Sequence, residues 1–97
     1  MIKLTLSAPM FALLPEHERA ATTAPREVAL DGESWPDVVR EIRRRFPDLA
    51  NRVLSPADAL RPAFVLVIND EVMPGGDGSF EIAAGDQLYM LAAIAGG

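Results

Sequence analysis

Residues 2–7, IKLTLS, alternate apolar Ile2, Leu4 and Leu6 with polar Lys3, Thr5 and Ser7, the period of a strand with one face buried. The stretch 15–26, PEHERAATTAPR, holds prolines and polar or small residues without an apolar period and reads as a loop. REVAL, 26–30, is predicted to be a second short strand, which Asp31-Gly32 turns the chain out of. The clearest helical signal follows. Ser34 is placed to N-cap, Pro36 suits the first turn and Asp37 stands three residues after the cap, while Trp35, Val38, Val39, Ile42 and Phe46 form one apolar stripe that Pro47 ends. DLANRVL, 48–54, fits a shorter second helix before Ser55-Pro56. FVLVI, 64–68, is apolar at every position, the mark of a central strand with both faces at least partly covered. Asn69-Asp70-Glu71 makes a turn, with room for a short strand at 71–73, and a glycine-punctuated stretch leads to a last strand from Gln87 to Leu91.

The order strand, strand, helix, strand, short strand, strand predicts an α+β domain, a mixed sheet of four or five strands packed on one main helix. Alternation assigns Phe64, Leu66, Ile68, Leu88 and Met90 to the helix-facing side. Val65, Val67, Tyr89 and Leu91 then fall on the opposite face, and several apolar residues together on one open sheet face suggest a docking surface.

A chain of 97 residues fits one domain, expected over 1–91, with 92–97 as an extended, flexible C-terminal tail. Cysteine is absent, which excludes disulfides, thiolate metal sites and thiol nucleophiles. His17 is the only histidine, so neither a histidine metal centre nor a serine–histidine–aspartate triad is argued, and no metal is expected. PGGDGS at 74–79 lacks the lysine and following helix of a phosphate-binding loop and is a turn. The net charge of −5 disfavours nucleic acid and favours basic protein surfaces. No run reaches membrane-spanning length and no signal-peptide core is present, so the expectation is a cytoplasmic protein without a membrane partner. Arg40, Arg43, Arg44 and Arg45 cluster near the end of the main helix, where a solvated basic face complementing the macrodipole is expected ahead of a docking patch.

LAAIAGG, 91–97, carries no charged or hydrogen-bonding side chain, although chain ends are usually polar. The strand ending in IND at 65–70, the AAGDQLYML approach to the last strand, and AIAGG following that strand directly resemble the MoaD/ThiS family of ubiquitin-like sulfur carriers over essentially the whole chain. The resemblance implies a β-grasp (ubiquitin-like) fold, with Gly96-Gly97 as the true C-terminus. It implies that a ubiquitin-activating-type adenylating and sulfurtransferase enzyme, consuming ATP, adenylates the Gly97 carboxylate. Sulfide or an enzyme persulfide then displaces AMP to leave a thiocarboxylate. No cofactor is bound permanently; the covalent sulfur sits on Gly97, and the chain is a carrier and co-substrate rather than an enzyme. Glycine suits such an end because it lacks Cβ, and Ala92, Ala93, Ile94, Ala95, Gly96 and Gly97 together reach at most roughly 20 Å into a partner.

Among carriers, AIAGG and IND look most like the cysteine-synthesis type, whose acceptor enzyme is of the cysteine synthase class. The small subunit of molybdopterin synthase, partnered by its large subunit in molybdenum cofactor biosynthesis, ranks next, and a thiamin or natural-product carrier after it. The extra length relative to thiamin carriers sits in 15–26 and 52–63. Outside the carrier class stand a plain β-grasp interaction module and a ubiquitin-like conjugated modifier. Lys3 is the only lysine, so self-linked polymers through lysine are confined to that position.

Overall fold

The computed structural model describes residues 1–22, 24–76 and 80–93. Among these residues five strands form one sheet: β1 (Ile2–Leu6), β2 (Glu27–Leu30), β3 (Phe64–Ile68), β4 (Glu71–Pro74) and β5 (Gln87–Ala92). Their spatial order is β2-β1-β5-β3-β4. β1 runs parallel to β5, with Leu4 beside Leu88 and Leu6 beside Met90, and every other pairing is antiparallel. The last strand therefore enters between the first and the third. The helices are α1 (Ala8–Phe11), α2 (Glu16–Ala20), α3 (Trp35–Arg45) and α4 (Pro47–Val53). This is the β-grasp arrangement, a sheet wrapped on α3.

The stripe on α3 faces the sheet as its spacing requires. Trp35, Val38, Val39, Ile42 and Phe46 are buried against Ile2, Leu4, Leu6, Leu66, Leu88 and Met90, each contributing about 1.5–3 kcal/mol as an upper figure. The Ser34 hydroxyl accepts the Asp37 N–H, so the cap forms as expected. Pro47 ends α3 and also opens α4, where its missing N–H costs no helical bond. The indole N–H of Trp35 donates to the Asp58 carbonyl at 3.0 Å, and its ring meets Phe80 edge-on at 4.8 Å.

The stretch 15–26 is not wholly a loop: residues 16–20 form α2, and α1 precedes it. α2 buries none of its residues, which is why no apolar period announces it. Its anchor is ionic. Arg45 Nη2 and Nε lie 2.8 and 3.0 Å from the two carboxylate oxygens of Glu18, and Arg45 Nη1 donates to the Ala29 carbonyl of β2 at 2.7 Å. The arginine cluster of α3 is likewise not a simple solvated face. Arg43 reaches the Asp58 carboxylate and the Ser55 carbonyl, both at 2.9 Å, while Arg40 pairs with Asp37 and Arg44 with Glu41. Arg45 and Arg43 thus fasten to α3 the two segments, 15–26 and 52–63, in which the chain is long. Basic side chains in the last turn of a helix suit its dipole, but the carboxylates and carbonyls of the neighbouring segments decide where these ones point.

Glu41 is the one buried charged residue among those described. Burial alone would raise its pKa, but hydrogen bonds from Arg44 and from the Asp31 N–H, with the charges of Arg44 and Arg45, hold it below the usual carboxylate value. The Arg45 hydrogen bond likewise lowers Glu18, outweighing its desolvation.

Candidate functional site

The strand ladders place Val65 and Val67 of β3 and Tyr89 and Leu91 of β5 on the sheet face turned away from α3. Val65 pairs with Leu91, and Val67 with Tyr89. All four are half-buried or exposed, whereas Phe64, Leu66, Ile68, Leu88 and Met90 are buried beneath them. The sequence alternation is therefore carried into the fold without a register slip. β4 adds two neighbours that the sequence reading left out. Val72 stands opposite Val67 and Pro74 opposite Val65, and Val72 is 62% exposed. A signal was present, since VMP continues a period of two after the Asn69-Asp70 turn, but three residues are too few to set a strand's face.

This face is graded along its length. At one end Lys3, Asn69, Asp70 and Gln87 surround Tyr89 and Thr5. At the other, where β5 leaves the sheet, Val65, Pro74 and Leu91 lie side by side. The apolar character thus rises toward the chain's exit.

The polar end is built by the two strand motifs meeting. Asn69 and Asp70 both have positive φ, 48° and 71°, the two-residue turn that matches hairpin twist. Asn69 donates to the Asp86 carboxylate and accepts the Gln87 N–H, each at 3.0 Å. Its own N–H donates to the Gln87 carbonyl at 2.9 Å. The Ala83 N–H and then the Asn69 amide hold Asp86 below the usual carboxylate range. Here IND and GDQ form one structural clamp that sets where β5 starts and hence its register with β3.

Ala92, assigned to the tail from the sequence, is the last residue of β5, opposite Phe64. The Ala93 N–H donates to the Ala63 carbonyl at 2.8 Å. The ladder outlasts the apolar alternation because backbone pairing needs no particular side chain. Ile94, Ala95, Gly96 and Gly97 lie outside the described residues, as does part of the PGGDGS turn. Among the described residues no group of histidine, cysteine, aspartate and glutamate side chains could hold a metal ion, and no helix is long and apolar enough to cross a membrane.

No protein-family model and no curated protein matches the chain. Solved structures do. SAMP1 from Haloferax volcanii superposes with a TM-score of 0.63 at 21% identity, covering 99% of this chain and 98% of that one. An Amycolatopsis orientalis BexX/CysO complex matches with a TM-score of 0.60 at 21% identity over 100% of both chains. CysO from Mycobacterium tuberculosis gives 0.60 at 18% identity over 97% and 100%. At these identities the likeness is one of architecture, and it extends end to end: the chain is built on the ubiquitin-like β-grasp fold of SAMP1 and CysO.

Proposed function

We propose that the chain is a sulfur carrier whose Gly97 carboxylate is adenylated and converted to a thiocarboxylate. The observation that carries the reading is the placement of β5. The central strand of a β-grasp sheet ends at Ala92 beside an exposed apolar patch, and the sequence runs from there through Ala93-Ile94-Ala95 to Gly96-Gly97. The patch grips a partner while the uncharged segment is handed to it. In the reaction a Gly97 carboxylate oxygen attacks the α-phosphorus of the partner's ATP and pyrophosphate leaves. Sulfide then attacks the acyl carbon and AMP leaves. The chain supplies the carboxylate and the docking face, and the partner supplies the catalysis.

The likeness to CysO over the whole length supports the carrier reading; the AIAGG ending and the IND turn are the grounds for ranking an acceptor in cysteine synthesis ahead of molybdopterin synthase. That CysO is seen in complex with a second protein, BexX, supports partner binding by this architecture. The likeness to SAMP1, which is described as a small archaeal modifier protein, favours one other reading, conjugation of Gly97 to lysines of other proteins.

Intact mass of untagged protein, before and after incubation with ATP, sulfide and cell extract, tests these readings. Exchange of one oxygen for sulfur is expected, with fragment ions beyond Met90 placing it on Gly97 and separating it from methionine oxidation. Gly97→Ala should abolish the exchange while leaving the fold intact. Higher-mass adducts through Gly97 would mark a modifier, and a Gly97 that never changes in folded protein would sink both.

A further inference from the structure

Beside the exit of β5 lies a groove of about 530 Å³, lined by Met10, Leu13 and Phe64, by Ala92 and Ala93, and by Arg52 and Arg61. The fold brings the two arginines to one groove that none of the α3 arginines lines. Arg52 lies in the last turn of α4. The Arg61 N–H donates to the Val53 carbonyl at 2.8 Å, and Leu54 bridges to Leu60, so the chain doubles back and sets Arg61 next to Arg52. The Arg61 carbonyl accepts the Phe64 N–H at 3.0 Å. Gly75 packs so tightly below that a Cβ there would lie 2.3 Å from the Arg61 oxygen. Arg61 is therefore held by its backbone while its side chain stays exposed.

Among the described residues neither arginine makes an ion pair, whereas Arg40, Arg43, Arg44 and Arg45 all do. The dipole of α4 accounts for a cation at Arg52, but not for one at Arg61, which follows the helix by several residues. In a chain of net charge −5, two guanidinium groups on one apolar groove, without an ion pair among the described residues, are a local reversal of sign. Guanidinium forks match carboxylates in geometry, and the apolar lining matches an aliphatic or aromatic anchor. A partner that takes hold of the chain at Ala92 and Ala93 meets this groove, because both residues line it.

We propose that the groove is the docking site for the enzyme that activates Gly97, and that this enzyme seats an apolar side chain flanked by its own carboxylates between Arg52 and Arg61. The inference rests on the carrier reading and adds the chemistry of the partner surface. It also divides the labour of the molecule: the apolar open face of the sheet and the cationic groove at the end of strands β3 and β5 are separate contacts.

The test measures the initial rate of sulfur uptake at Gly97, by mass, in clarified extract with ATP and sulfide. It compares wild type, Arg52→Ala/Arg61→Ala, Arg52→Gln/Arg61→Gln and Arg19→Ala/Arg40→Ala, the last losing the same charge elsewhere. Tryptophan emission confirms that each variant is folded. Both groove pairs should slow uptake by about tenfold or more at low salt, and added salt should slow wild type more than either pair. The Arg19/Arg40 pair should load at the wild-type rate. Wild-type rates in the folded groove variants, or an equal loss in the Arg19/Arg40 pair, would overturn the proposal. If wild type itself takes up no sulfur, the carrier reading fails and this inference falls with it.

Discussion

Replacing Arg45 with methionine removes the ionic fastening of α2 but keeps an apolar stem near the Phe46 ring, over which the guanidinium now lies at 5.0 Å. The arginine loses two short bonds to Glu18, one to the Ala29 carbonyl and a longer 3.5 Å contact to Glu41. Hydrogen bonds to charged groups are worth roughly 1.5–3 kcal/mol each, and breaking a fully buried ion pair costs about 3–5 kcal/mol. Two features lower the figure here. Glu41 keeps Arg44 and the Asp31 N–H, so it is not orphaned, and Glu18 sits on a helix with no buried residue, free to turn to water. The expected loss is about 2–3 kcal/mol, read as a shift in the urea midpoint followed by the emission of Trp35, the only tryptophan. The loss should depend on pH. Glu18 and Glu41 have folded pKa values below their ordinary 4.5, so their contribution is complete above pH 4.5 and disappears as pH falls through the lower folded values. The gap between wild type and variant should therefore narrow between pH 4.5 and more acidic solution. A loss under about 0.5 kcal/mol at pH 7, or a gap unchanged on acidification, would refute the assignment of α2 to an ionic anchor.

Gly75→Ala should destabilise by about 1–3 kcal/mol through overpacking, since the new methyl carbon would lie 2.3 Å from the Arg61 carbonyl oxygen and 2.7 Å from that of Phe64; a thermal scan checks it. Asp70→Gly should stabilise by about 0.5–1 kcal/mol, because Asp70 holds a φ of 71° in the β3–β4 turn, and urea unfolding would show it. Val72→Asp should leave the unfolding midpoint nearly unchanged, the side chain being 62% exposed, yet weaken binding of the partner measured by titration calorimetry. Leu91→Asp should weaken it too; unchanged affinity in both variants would remove the open sheet face from the interface.

The strands and the main helix were legible because each carries a period tied to burial. Ile2, Leu4 and Leu6 alternate, the stripe from Trp35 to Phe46 recurs helically, and the solvent face of β3 and β5 followed from counting by two. α2 was illegible for the opposite reason: its cohesion comes from Glu18 meeting Arg45 across 27 positions, a contact that leaves no periodic trace. The arginine cluster shows the same limit, since composition counts charges and only the fold assigns their partners. On the open sheet face, Val65, Val67, Tyr89 and Leu91 were placed by alternation, but Val72 and Pro74 needed the hairpin register, and the juxtaposition of Arg52 with Arg61 needed the doubling-back between them.

The position of β5 also decides how the domain bears load. β5 is bonded on one side to β1, running parallel, and on the other to β3, running antiparallel. A pull applied at Ala93 along the strand axis therefore acts in shear, straining many hydrogen bonds of two ladders together rather than peeling them one at a time. An edge strand drawn outward from the sheet would instead unzip bond by bond. A machine that drags on the C-terminal segment thus grips an interior strand bonded on both sides, and the load is shared between two ladders rather than carried by one.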